Sequence, residues 1–105
     1  MQTQNAKFSV DQLVAHNLFS YRGVITDVDP TFQGSEDWYD QVALSRPPKD
    51  EPWYRVLVHN AVHETYVAEQ NLAIDVSGDA ITHPLIDVYF DSFDNGHYTS
   101  NRRTN

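Results

Sequence analysis

Alternating apolar and polar positions run through most of this chain and predict a small β protein. In Lys7 to Val14, KFSVDQLV, Phe8, Val10 and Val14 fall on one side, and QLVAH then reads as a short strand. NLFS makes a turn. Tyr21 to Val28 forms a second strand, which Pro30 ends because proline offers no backbone donor to a ladder. Trp53 to His59, WYRVLVH, is the densest strand pattern, with Tyr54, Val56 and Val58 on one face. NAV turns the chain and HETYVA returns as its hairpin partner. EQNLAI predicts one helical turn leading into a last short strand, Ala73 to Val76.

Two stretches depart from the alternation. Thr31 to Pro52 is a long connection in which Ser35 is placed to cap a short helix through Ala43, before the rigid break RPPKDEP. A connection of this length in a compact domain is expected to pack and to carry function. After the SGD loop, HPLIDVYFDSF places Leu85, Val88 and Tyr89 at helical spacing, which predicts a helix stopped at Gly96 and followed by a polar tail. Residues 1 to 6 are polar and expected to fray. The fold class is mainly β: a small SH3-like barrel with a long irregular connection and a short C-terminal helix. Residues 1–105 make one domain, with the barrel over 7–76 and the helix and tail over 77–105. Gly23, inside a strand, is expected to serve the sharp bend that a small barrel needs, or else a close approach of a neighbouring backbone.

The chain has no cysteine, which excludes disulfides, thiol nucleophiles and thiolate metal sites. The N-terminus lacks an apolar run, so no signal peptide is expected, and no stretch approaches membrane-spanning length. A soluble cytoplasmic protein with no membrane partner is the expectation. Seven basic residues against fifteen acidic ones give a net charge of −8, which repels a polyanion at long range. The basic residues are also scattered along the sequence.

Candidate chemistry is sparse. Asp27 and Asp29 share a face at a strand end, but two carboxylates are too few for a hard cation, and they read as solvent-facing acids before an Asp-Pro turn. His59 and His63 flank a predicted turn in HNAVHE, without the intervening glutamate of a helical zinc motif. His16, on the Val14 face, reads as a hydrogen-bonded core histidine. No serine or threonine has nucleophile-elbow glycines, and no glycine loop could cradle a phosphate. A non-enzymatic protein with no cofactor and no metal is expected. Most of the aromatic residues around the long connection belong in the core. Trp38, Tyr39 and Trp53 are the candidates for a protein-binding surface, since aromatic anchors dominate interfaces. Arg22 and Arg55 are the candidates for nucleic acid.

Four stretches, in order, carry a family resemblance: VAHNLFSYRGVITDVDP, PPKDEPWYRVLV, TYVAEQNL and HPLIDVYFDSFDNGHY. Together they resemble the HspQ family, also called YccV-like or hemimethylated-DNA-binding domains. The resemblance implies an SH3-like barrel and a bacterial cytoplasmic heat-shock protein. It also implies two roles: binding hemimethylated DNA, and acting as a specificity factor for the ATP-dependent protease Lon. The implied partners are Lon and its substrates, with hemimethylated DNA as the alternative, and a homo-oligomer is compatible with either. Ser20 stands where the family pattern F-G-Y-R-G has a glycine, so the turn there is expected to differ in type. The acidic charge ranks the proteolysis role above DNA binding.

Overall fold

A computed structural model describes residues 6–100. Five antiparallel strands form the main sheet: β1 Leu13–His16, β2 Arg22–Asp29, β3 Trp53–Val58, β4 Glu64–Ala68 and β5 Leu72–Ile74. Their spatial order is β4-β3-β2-β1-β5. The first four agree with the alternation pattern to within a residue or so. β5 lies earlier than the Ala73 to Val76 reading, because buried Leu72 opens the strand while Asp75 turns to Arg22 and Val76 is left in solvent.

β4 and β5 are opposite edges of the sheet, yet only a single 3₁₀ turn, Glu69–Asn71, separates them along the chain. The sheet must therefore curl until its two edges meet at that corner. Its inner face is filled by Phe8, Val14, Ile25, Tyr54, Val56, Val67 and Leu72, a cluster to which all five strands contribute. The corner is locked by buried Glu69, whose carboxylate accepts from the Tyr54 hydroxyl at 2.6 Å and from the Lys7 backbone N–H at 2.8 Å. Burial, helped by that carboxylate, pushes the Tyr54 phenol well above its ordinary range. Among the described residues no ladder joins β4 to β5. The fold is mainly β, as expected, but the barrel is open along this seam.

At Gly23 the second of the two expected roles holds. The register shift in β2 falls between Ile25 and Asp27. At Gly23 the neighbouring strand passes so close that a Cβ would stand 2.5 Å from the Leu57 carbonyl oxygen, and closer still to Val56 Cγ1. The glycine permits close approach of two backbones rather than a bulge.

The outer face is covered at both ends. At one end the long connection packs as a lid: α1, Glu36–Val42, starts at Ser35, whose hydroxyl accepts from the Trp38 N–H at 3.0 Å. Tyr39, Ala43, Trp53 and Ala68 are buried beneath it. The proline segment is strapped down by the Tyr39 hydroxyl on the Pro47 carbonyl at 2.6 Å and by the Trp53 indole N–H on that of Pro48 at 3.0 Å. At the other end Leu13, Val24 and Leu57 pack against Ile81, Phe90 and Tyr98.

That second cover corrects the expected C-terminal helix. Only one turn forms, α2 Ile86–Tyr89, and the chain then makes a two-stranded sheet, β6 Phe90–Asp94 with β7 His97–Ser100. Asn95 and Gly96 have φ of 53° and 78°, the conformation that an Asn-Gly pair supplies to a two-residue hairpin. Gly96 is thus a hairpin residue, not a helix stop. Thr99 and Ser100, assigned to a polar tail, pair in the hairpin. The expected fraying of residues 1–5 and the tail beyond Ser100 lie outside the described residues. No helix among those described is long and apolar enough to cross a membrane.

Candidate functional site

The open seam forms a groove of about 750 Å³. Its lining includes every residue of β4 from Glu64 to Ala68. Because side chains alternate between the faces of a strand, consecutive lining residues mean that the groove runs along the strand's edge and not over one face. One wall is the β1–β2 turn, with Leu18 and Phe19 projecting into solvent at 58% and 73% exposure. The other is the end of α1 with the residues just past it, where Val42 and Leu44 are 55% and 79% exposed. These two walls gather four of the chain's exposed large apolar side chains around one depression.

The β1–β2 turn is firmly built. Asn17 bonds the 3₁₀ corner twice, through its N–H to the Asn71 carbonyl at 2.8 Å and its side-chain amide to the Gln70 carbonyl at 3.1 Å. Buried His16 accepts the N–H groups of Leu18 and Phe19 on Nδ1, both at 3.1 Å, and its ring stacks on Phe19 at 4.7 Å. This is the hydrogen-bonded core histidine the sequence suggested, and burial lowers its pKa. Accepting two N–H groups requires the neutral ring. Ser20 adopts φ 63°, the left-handed conformation a glycine favours.

The candidate anchors occupy different depths. Trp38 is half-buried and lines the groove, Trp53 lines it from a buried position at 1% exposure, and Tyr39 is buried at 5% exposure outside the lining. With Phe32 and Tyr66 they make one aromatic cluster that stiffens the groove's α1 side; Trp38 and Trp53 meet edge to face at 6.1 Å. Tyr66 donates to Asp29 at 2.6 Å, and burial together with that bond pushes its phenol up to about 12. The sequence reading missed Leu18, Phe19, Val42 and Leu44. A signal existed: LFS and VALS are apolar residues inside segments read as turn and helix end, where burial does not explain them.

The two candidate arginines do not come together. Arg22 is bound by Asp75 at 2.9 Å and donates to the Asp79 carbonyl, which anchors the loop after β5. Burial raises the Asp75 pKa, but the bonds from Arg22 and Ser77 outweigh it and hold the carboxyl below its ordinary value. Arg55 sits opposite Asp27, five positions along β2 from Arg22, or roughly 15 Å away. It lies 3.9 Å from Asp27 and 4.0 Å from Glu64, over the Tyr66 ring. Among the five basic residues described, Arg22, Arg46, Lys49 and Arg55 all face a carboxylate within 4.0 Å. His59 accepts the Thr82 N–H on Nδ1, and His63 meets His83 through its carbonyl. No group of three His, Cys, Asp or Glu among the described residues is gathered to hold a metal.

A family model described as hemimethylated DNA-binding protein YccV like matches residues 6–97. The chain belongs to the YccV-like family. That match spans the curled sheet, the α1 lid and the start of β7, so the groove is built wholly from family-matched sequence.

Proposed function

We propose that this YccV-like protein works by binding other proteins, as a non-catalytic specificity factor for ATP-dependent proteolysis by Lon. The observation that supports it most is the seam groove, where Leu18, Phe19, Val42 and Leu44 stand exposed around an apolar depression. Contiguous exposed apolar surface of this kind is a mark of protein-binding sites. The charge points the same way: a chain at −8, whose described arginines face carboxylates, has little to neutralise phosphates.

The second reading, binding of hemimethylated DNA, is favoured by the description of the family model itself. Degradation of several substrates by purified Lon, with and without this protein, tests the first reading. A gel shift on methylated, hemimethylated and unmethylated duplexes at physiological salt tests the second. The expected result is altered proteolysis with weak, salt-sensitive DNA retention. Tight hemimethyl-selective binding with unchanged proteolysis would reverse the order.

A further inference from the structure

The floor of the groove is an edge strand, β4, whose outer backbone groups are unused up to the 3₁₀ turn that follows it. Val58 donates its N–H to His63, and Glu69 donates its N–H to the Pro52 carbonyl. In this antiparallel register those two pairs fix the odd-numbered residues of β4 as the ones bonded to β3. The N–H and C=O groups of Glu64 and Tyr66 and the N–H of Ala68 therefore point away from β3, into the groove, with no described backbone partner, while the Ala68 carbonyl is taken by the 3₁₀ turn that follows. Such a row of unpaired groups is a template for another strand.

From this geometry we infer that the groove takes an extended segment of another protein as an added strand on β4. This rests on the protein-binding reading above and specifies its chemistry. Backbone pairing to Glu64, Tyr66 and Ala68 supplies sequence-tolerant affinity, and side chains alternating along the segment meet the two apolar walls. One row faces Leu18 and Phe19, and the other faces Val42 and Leu44. Charge sets the preference. At the Glu64 end Arg55 is outnumbered by Glu64 and Asp27, and the whole chain carries −8, so a segment of apolar residues with lysine or arginine is favoured over an acidic one. An unfolded polypeptide offers this chemistry, whereas a folded protein rarely leaves such a strand free.

The test uses the full chain and a fluorescein-labelled peptide of alternating valine and lysine, followed by anisotropy. Its twin carries N-methyl groups on alternate amides, which removes one edge's donors and leaves the side chains intact. The parent peptide should bind, the N-methylated twin at least about tenfold more weakly, and a valine–glutamate peptide more weakly than the parent. In the protein, Ala68→Pro removes an outward donor at a residue whose φ of −69° already suits proline, and it should weaken the parent peptide while leaving the twin's binding unchanged. Should that variant unfold, the peptide comparison stands without it. Equal binding of the two peptides overturns strand addition while leaving a protein-binding groove. No binding of either, with Lon stimulation intact, overturns the inference but not the proposed function. A concentration-dependent dimer that blocks the parent peptide assigns the edge to a second copy of this chain, and also overturns it.

Discussion

The hydroxyls of Tyr21 and Thr65 lie 2.7 Å apart, joining the start of β2 to the edge strand β4 two strands away. Only a curled sheet allows that reach. Burial raises the Tyr21 phenol's pKa, partly opposed by the Thr65 bond, so the pair stays neutral and sets the width of the seam. Tyr21→Phe should cost about 1 kcal/mol, read as a Tm lower by about 4–8 °C. Thr65→Val should cost a similar amount, and the double variant less than the sum. Fully additive losses would mean that the two hydroxyls act separately.

Ser20 holds a left-handed conformation that costs a side-chain-bearing residue about 1–2 kcal/mol. Ser20→Gly should therefore stabilise the protein, by about 0.5–1 kcal/mol once the greater freedom of the unfolded glycine chain is counted. A thermal melt checks this, and a lower Tm would show that the serine contributes a contact worth more than the strain.

Gly23→Val should be strongly destabilising although valine is the better strand former. The obstacle includes the Leu57 carbonyl, which is backbone and cannot rotate away. Overpacking of this kind costs about 1–3 kcal/mol. A Tm equal to the parent's would mean the two strands can separate at this point without loss.

The turn bearing Leu18 and Phe19 should also respond to pH. His16 has a lowered folded pKa, so the unfolded chain takes up its proton first as pH falls. Its stabilisation is fully present above about pH 6.5 and is lost as pH falls through the folded value. His16→Asn, whose side-chain oxygen can accept the same N–H groups, should narrow the Tm difference between pH 7.5 and pH 5.5. An unchanged difference would place the pH response on other groups.

Elements carried by local signals are legible in the amino-acid sequence itself. Ser35 caps its helix as the capping rule requires, and the Tyr54-Val56-Val58 face is buried throughout. The C-terminal segment misleads because Leu85, Val88 and Tyr89 do satisfy helical spacing for one turn, while the long-range burial of Phe90 against Val24 and Leu57 overrides it. The Asn95-Gly96 pair holds the competing hairpin signal. The groove is the least legible part. Its floor and walls come from three separated segments, and the seam exists only because the Glu69–Asn71 corner brings opposite sheet edges together. Arg22 and Arg55 look available for phosphate because sequence does not show that Asp75, Asp27 and Glu64 fold against them.

Arg55 offers the cleaner probe of the DNA reading, since Arg22 is committed to Asp75 and to the loop it anchors. Arg55→Gln removes the charge without setting a third carboxylate beside Asp27 and Glu64, and should cost no more than about 1 kcal/mol, the worth of exposed ion pairs. Any residual DNA retention should change little. A selective loss of binding to hemimethylated duplex would identify Arg55 as a phosphate or base contact.

The most direct measurement is substrate degradation by purified Lon in the presence of the Phe19→Glu, Leu44→Glu double variant. Both side chains are largely exposed, at 73% and 79%, so the fold should survive, with a Tm lowered only by the loss of the Phe19–His16 stack. The wild-type protein should change the degradation rate of a responsive substrate, and the double variant should lose most of that effect at equal concentration. A double variant as effective as wild type would show that proteins are not bound through the seam groove.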